Sequence, residues 1–311
     1  MPQSAARCCF TMKYRNKLFS YKDPYDTEGT NELFLAAMRE NCAYHFENNP
    51  GYSKILKAEG FAPEMLKTRE DLARLPFIPT AVLKKHDLNT DSGSGSITVT
   101  SSGTSGKMSV IKYDPGTLLA AGKMALKVVK KRGLLSLRPV NYIVFGYKPH
   151  KGNKTAVTKT AYLTTLLAPA KKRFFVLRYK DGKYEPDIEG AIEAVKSFAR
   201  KKAPVRFMGF PSYTYFAMKL LDERGIYLKL PKGSKIMLGG GWKQFYREKV
   251  DKPEFYALAE KTLGIGDKDI IEFFGAAEHA VLYCDCENHH FHVPIYGRVI
   301  IRNVDTLEEN P

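Results

Sequence analysis

From Ile97 onward, short apolar runs alternate with longer amphipathic ones, and a glycine or proline stands close to most of the run ends. This alternation limits the possible folds more than any other feature of the chain. Runs rich in Val, Ile, Phe and Tyr suit strands, and the spacing places them at 97–100, 110–113, 142–145, 174–179, 205–209, 235–238 and 270–274. Helices are expected over 116–132, 187–201, 212–224 and 244–263, with a last strand at 298–302. Strands interleaved with helices point to an α/β fold in which β-sheets are covered by helices. In such sheets ligands gather at the loops that leave the carboxyl ends of the strands.

Upstream, residues 29–90 read as a helical entry segment, preceded by an extension over 1–28 and followed by an α/β core over 91–311. Glu32 to Phe46 carries apolar positions at helical spacing, and Asn48-Asn49-Pro50-Gly51 reads as a turn. Thr68-Arg69-Glu70-Asp71 has the form of a capped helix start. Val205 to Gly209 leads through Phe210-Pro211 into a helix, with Ser212 as the expected N-cap.

Apolar residues make up 44% of the 311, enough for a large core, and the net charge is +16. Such an excess attracts polyanions, among them nucleic acid, anionic lipid, and small anions such as ATP or a carboxylate. The clusters Lys130-Lys131-Arg132, Lys171-Lys172-Arg173 and Arg200-Lys201-Lys202 are short and read as solvated helix ends. A nucleic-acid partner would explain the charge but no motif, so none is expected. Five cysteines (Cys8, Cys9, Cys42, Cys284 and Cys286) are too few and too uneven for a disulfide framework. No run approaches the roughly 18 apolar residues of a membrane span, and no apolar signal core opens the chain. A cytoplasmic setting is therefore expected. Met12 offers a second start, which would make the first eleven residues an upstream extension.

The densest chemical signal is Thr100-Ser101-Ser102-Gly103-Thr104-Ser105-Gly106-Lys107, at the end of an expected strand. Glycines let backbone amides approach an anion, the hydroxyls of Ser101, Ser102, Thr104 and Ser105 add donors, and Lys107 adds a positive charge. A Walker A loop would need glycine at Ser101 and a hydroxyl at Met108, so this is a different loop. A flexible Ser/Gly surface loop is the plain alternative.

This segment resembles the Ser/Thr/Gly-rich phosphate loop of the adenylate-forming superfamily. Asn48 to Tyr52 and Leu75-Pro76-Phe77-Ile78-Pro79 are similar to the helical entry of the phenylacetate–CoA ligase branch. Leu238-Gly239-Gly240-Gly241-Trp242-Lys243 and Phe274-Gly275-Ala276-Ala277-Glu278-His279 most resemble the acyl-protein synthetase family of bacterial bioluminescence operons. The resemblance runs from about residue 40 to the end.

It implies the large N-terminal domain of the adenylate-forming fold, with ATP and Mg²⁺ as the reaction's requirements. Lys107 and Glu278 would be the catalytic pair. Ser101, Ser102, Gly103, Thr104, Ser105 and Gly106 would hold phosphates, while Gly239, Gly240, Gly241, Phe274 and Gly275 would border adenine. Glu278 would hold Mg²⁺, since a carboxylate beside a triphosphate needs a cation between them. Ala277 stands where many superfamily members carry a threonine. The region 205–212 would line the acyl pocket; Tyr213, Tyr215 and Phe216 could add an apolar wall, but aromatics at this spacing are more often plain core. The acid would be a long-chain fatty acid and the acceptor a protein thiol of a reductase-like partner. An aryl acid passed to coenzyme A is the alternative, and a nucleotide-binding homologue without turnover is a third.

The stretch from Cys284 to His292 concentrates soft ligands, with Cys284, Cys286, His289 and His292 able in number to satisfy a tetrahedral Zn²⁺. One residue between the cysteines is tighter than the usual gap, and a reduced hairpin with exposed histidines is the competing reading. By resemblance the domain would continue past Pro311 to a ribose-binding Asp and a small C-terminal region, so a missing C-terminal part is expected.

Overall fold

The chain forms strands β1 (Ile97–Thr100), β2 (Val110–Tyr113), β3 (Val140–Tyr147), β4 (Ala170–Lys180), β5 (Lys183–Pro186), β6 (Val205–Gly209), β7 (Lys235–Gly239), β8 (Ile270–Ala276), β9 (His279–Asp285) and β10 (Phe291–His292). The helices are α1 (Lys13–Ser20), α2 (Asn31–Asn48), α3 (Pro50–Ala58), α4 (Arg69–Arg74), α5 (Thr80–Leu83), α6 (Pro115–Lys131), α7 (Ala156–Thr164), α8 (Ile188–Ala199), α9 (Pro211–Glu223) and α10 (Lys252–Leu263). The computed structural model describes residues 12–90, 95–101, 108–149 and 156–310.

Contacts divide the chain into two units. The first holds residues up to Ile97, with 112–124 and 293–311; the second holds 98–111 and 125–292. In the first unit, α1 to α5 are joined by the returning segment 293–311. Ile295 is fully buried and its amide donates to Pro24 O at 2.8 Å, while Tyr296 stacks on Phe19 with centroids 4.7 Å apart. Asn49 caps α3 by accepting from the Tyr52 amide at 2.9 Å. The expected turn at 48–51 is therefore a helix-to-helix junction. At Thr68 the capping expectation holds, with its amide donating to the Asp71 carboxylate at 2.9 Å.

The second unit is built on a sheet of order β10-β9-β8-β7-β6-β3-β4-β5. The five strands from β8 to β4 run parallel, and β5 and β9 turn back antiparallel at either side. β3 reads Val-Asn-Tyr-Ile-Val-Phe and is buried throughout those positions, as a central strand covered on both faces must be. Ile143 and Phe145 share one face with Val205, Phe207, Ile236 and Leu238, packed against α8, α9 and α10. Each such side chain contributes roughly 1.5–3 kcal/mol by leaving water. On the other face Arg206 is buried, and its Nη1 donates to Leu134 O just past α6 at 2.8 Å.

Several expectations are corrected. The helix expected over 244–263 is broken: a 3-10 turn covers Lys243–Glu248, and α10 starts afresh where Asp251 accepts from the Glu254 amide at 3.0 Å. Pro253 has no amide to give to a preceding turn, so a helix can start there but not run through. Ser212 is not the cap of α9. Pro211 takes the first helical position, which moves the N-cap to Phe210 and leaves Ser212 buried. No strand forms at 298–302; only Arg302 makes a lone bridge, to Glu309. There Arg298 and Arg302 donate instead to the backbone carbonyls of Thr27 and Ala73. Lys171-Lys172-Arg173 lies in β4, not at a helix end. Arg132 is turned inward, with Nε donating to Asp285 O at 3.1 Å. Among the described residues, no helix is long and apolar enough to cross a membrane.

Candidate functional site

After β3 the chain moves one way to β4 and β5, then returns to place β6 on the other side of β3. Such a switch in direction opens a crevice beyond the carboxyl ends of the two diverging strands. The local chemistry follows that rule. Gly209 closes β6 at φ +132°, and a Cβ there would stand 2.1 Å from Phe145 O. Only glycine allows this approach, and it lets the Phe210 amide donate to Phe145 O at 3.1 Å.

Aromatic rings crowd this end of the sheet. Tyr147, at the end of β3, meets Tyr184 edge-on at 4.8 Å and Phe210 at 6.2 Å. Tyr213 lies 5.6 Å from Phe245, and Phe216 lies 5.0 Å from the same ring. Burial, then the neighbouring Tyr147, pushes the Tyr213 hydroxyl above its usual pKa, so it stays neutral. Tyr215 is different: it is buried in the core and donates to Glu254 at 2.8 Å. Between α8, α9 and the sheet only a cavity of about 10 Å³ remains, too small for a ligand.

The next two strands end in the glycine-bearing segments. β7 stops at Gly239, and Gly240 and Gly241 follow with φ of +82° and +68°. At Gly241 a Cβ would meet nothing within 4 Å, so the left-handed dihedral, not crowding, calls for glycine. Trp242 then packs on Tyr215 at 5.6 Å. β8 carries Phe274, 58% exposed, its ring 5.8 Å from Tyr283. Gly275 and Ala276 complete the strand, and Ala277-Glu278 form the tight turn into β9. Glu278 is half-buried there and makes no ion pair with another described residue. His279 Nε2 lies 3.0 Å from the Tyr283 hydroxyl, and desolvation holds its pKa below the usual imidazole value.

Thus Gly239, Gly240, Gly241, Phe274, Gly275 and Glu278 all fall at or just beyond the carboxyl ends of the adjacent parallel strands β7 and β8. Ser101 sits at the end of β1, its amide donating to Ser109 O at 3.1 Å. Ser102, Gly103, Thr104, Ser105, Gly106 and Lys107 lie outside the described residues. Tyr147 and Phe245 were not singled out by sequence; for Tyr147 the available signal was an aromatic closing a strand that is apolar apart from Asn141.

The zinc expectation is not supported. Among the described residues, no group of three or more His, Cys, Asp or Glu side chains is arranged to hold a metal. Cys284 is buried in β9, where burial and the adjacent Asp285 push its thiol up to about 12. The His289 ring turns to Asp285, with Nδ1 at 3.4 Å, and packs on Tyr256 at 4.4 Å. His292 is paired opposite Cys284 on the edge strand β10 and is exposed. The four groups lie in different surroundings, from the buried Cys284 to the exposed His292, and do not converge.

The sequence model of the acyl-protein synthetase family LuxE matches residues 17–311. This chain belongs to that family. Two LuxE-type relatives are the long-chain-fatty-acid–luciferin-component ligases of Vibrio harveyi and Aliivibrio fischeri. The first is 24% identical over 264 residues, covering 83% of this chain and 66% of the relative. The second is 24% identical over 281 residues, covering 88% and 70%. The chain thus spans about two thirds of the length of these relatives. Among solved structures it is similar to 2-hydroxyisobutyryl-CoA ligase in complex with 2-HIB-AMP and CoA, with a TM-score of 0.62 at 15% identity, over 94% of this chain and 64% of that one. The same ligase in its postadenylation state gives a TM-score of 0.65 at 15% identity, over all of this chain and 61% of that one. At that identity the likeness speaks for the fold, which is the large domain of the adenylate-forming ligases.

Proposed function

We propose that this LuxE-family chain activates a long-chain fatty acid with ATP, forming an acyl-adenylate whose acyl group passes to a protein thiol. The reading is carried by the carboxyl edge of β7 and β8, where a left-handed glycine turn, an exposed Phe274 and, in the turn after β8, a Glu278 with no ion pair among the described residues come together. A flat base can lie against backbone that carries no side chains, with Phe274 as the ring that stacks on it. The fatty acid is what the named relatives act on.

In the reaction, a carboxylate oxygen attacks the α-phosphorus in line as the bond to the β-phosphate oxygen breaks, giving acyl-adenylate and pyrophosphate. A thiolate then attacks the acyl carbonyl, and AMP leaves. Glu278 suits Mg²⁺: a hard oxygen donor, half-open to solvent, without a competing cation among the described residues. When bound, the metal would neutralise charge on the phosphates. Gly239–Gly241 and Phe274 would orient the nucleotide, and Tyr147, Phe210 and Tyr213 would keep water from the acyl end. Such catalysis rests on positioning and fixed charge more than on proton transfer. Ser101 and the stretch from Ser102 to Lys107 would hold the phosphates.

The test is acid-dependent ATP–pyrophosphate exchange with Mg²⁺, across a panel of fatty and aryl acids. Exchange confined to long-chain fatty acids is expected. Measurable ATP binding with no exchange for any acid would overturn adenylation. Labelled acid, with coenzyme A or with a reductase-like acceptor protein, separates the two thiols; labelling of the protein is expected.

A further inference from the structure

In the first unit an open cleft of about 390 Å³ is lined by Glu28 in the turn before α2, Asn31 at the start of α2, Arg69 at the start of α4, and Val293, Arg298 and Val299 of the returning segment. Two of these side chains are guanidiniums brought in by separate elements. Arg298 is held in place from three directions. Its guanidinium lies 4.1 Å from the centre of the Phe34 ring, Nη1 donates to Gly297 O at 2.8 Å, and Nη2 donates to Thr27 O at 3.1 Å. Those partners are a ring face and neutral carbonyls, so the positive charge is positioned without being neutralised. Neither Arg298 nor Arg69 makes an ion pair with a carboxylate among the described residues, although Glu28 lines the same cleft. Burial, and then the charge of Arg69, hold the Arg298 pKa below its usual value. Two like charges lining one cleft, one of them partly desolvated, repel unless an anion comes between them.

The start of α2 adds to the same field. Thr30 is its N-cap, yet the Thr30 hydroxyl donates back to Asp26 O at 2.6 Å and makes no side-chain cap. The helix has 18 residues, long enough for its N-terminal dipole to favour a negative group nearby.

We propose that this cleft binds the phosphate group of a small metabolite, gripped between Arg69 and Arg298 beside the start of α2. A phosphate offers several oxygens on a tetrahedral centre and carries up to two charges, so two forks on different elements can share it. A carboxylate is satisfied by one fork and repays only part of the repulsion between two. Val293 and the exposed Val299 would flank the rest of the metabolite. Glu28, with a like charge at the rim, opposes the phosphate and keeps the affinity modest.

Calorimetric titration of the whole chain with inorganic phosphate, and with acetate at matched ionic strength, tests this. Arg69 is exposed, so Arg69→Gln should leave the melting temperature unchanged while weakening phosphate about tenfold, the scale of one charge-assisted contact. Glu28→Gln should act oppositely and tighten phosphate by about threefold. Acetate should bind at least about tenfold more weakly than phosphate. If Arg69→Gln fails to fold, Arg69→Lys and Glu28→Gln carry the test, since the first should weaken and the second should strengthen binding. Absence of phosphate binding to the unaltered chain would overturn the proposal. So would binding that neither substitution moves, which would place the anion elsewhere. Acetate equal to phosphate would overturn the choice of phosphate.

Discussion

Two stretches of the second unit carry motif-like chemistry in sequence and meet opposite fates in the fold. The carboxyl ends of β7 and β8 leave glycine backbone, a ring and a carboxylate turned outward. The β9–β10 edge, with two cysteines, an aspartate and three histidines close together, packs Cys284, Asp285 and His289 while His290 and His292 stay at the surface, so its reactive groups are dispersed. The lesson is that reactive residue types in close spacing say little until backbone geometry is known. Glycines that end parallel strands say more, because they expose backbone at the edge where ligands collect.

The largest effect expected from this contrast comes at the switch point. Gly209→Ala puts a Cβ 2.1 Å from Phe145 O at a φ of +132°, so a strand end or its neighbour must move. A loss of about 3 kcal/mol or more is expected, combining backbone strain with overpacking. Gly241→Ala has open space and a φ of +68°, so only the left-handed penalty of roughly 1–2 kcal/mol applies. Urea unfolding of both variants checks this. Equal losses would mean that crowding at Phe145 does not govern the switch point.

The next effect concerns the packed edge. Cys284, with its thiol pushed up to about 12 by burial and Asp285, should alkylate slowly in the native chain. Cys286, next but one along the chain, is half-exposed and should react at least about a hundredfold faster, because the thiolate is the reactive form. Timed iodoacetamide labelling with peptide mass spectrometry reads the ratio. Similar rates would show that the hairpin opens readily and that its cysteines are available after all.

A smaller effect is expected at the open edge. Phe274 is 58% exposed, so Phe274→Ala should change stability by less than about 0.5 kcal/mol. If the ring stacks on adenine, ATP affinity should fall about tenfold, within the range for removing one base–aromatic contact. Fluorescent nucleotide titration measures this. Unchanged ATP affinity would break the assignment of this edge to the nucleotide while leaving the fold untouched.

Legibility followed the same physics. β6 was read to the residue because Pro204 and Gly209 bracket a run that is apolar apart from Arg206. β5 went unseen, since Lys183-Tyr184-Glu185-Pro186 is a polar edge strand whose partner, not its composition, makes it a strand. β9 was hidden by Cys284 near its end and Cys286 just beyond it, a pair that reads as ligand spacing instead of strand alternation. α10 was merged with the turn before it because helical spacing continues across Pro253 in sequence but cannot in backbone. At the site, strand-ending glycines and Phe274 could be read locally. Tyr147 meeting Phe210 could not, since their approach depends on β3 and β6 becoming neighbours.

The smallest expected effect distinguishes packing from pairing at the β9–β10 edge. Asp285 is buried, and burial raises its carboxyl pKa even though Arg132 and His289 favour the charged form. Glu272 and Asp267 add negative charge around it, and the Tyr256 ring covers His289. A carboxyl whose folded pKa lies above its unfolded value binds protons more tightly in the native state. Its stabilising contribution is therefore complete below the unfolded value of roughly 3.9 and fades as pH rises through the folded one. Asp285→Asn cannot ionise, so the melting temperature of the variant relative to the unaltered chain should rise between pH 4.5 and 7.5. Thermal scans at several pH values in that window give the slope directly. A slope of the opposite sign would mean that Arg132 and His289 outweigh burial, making the edge a working ion-pair network and not a packed remnant of reactive side chains.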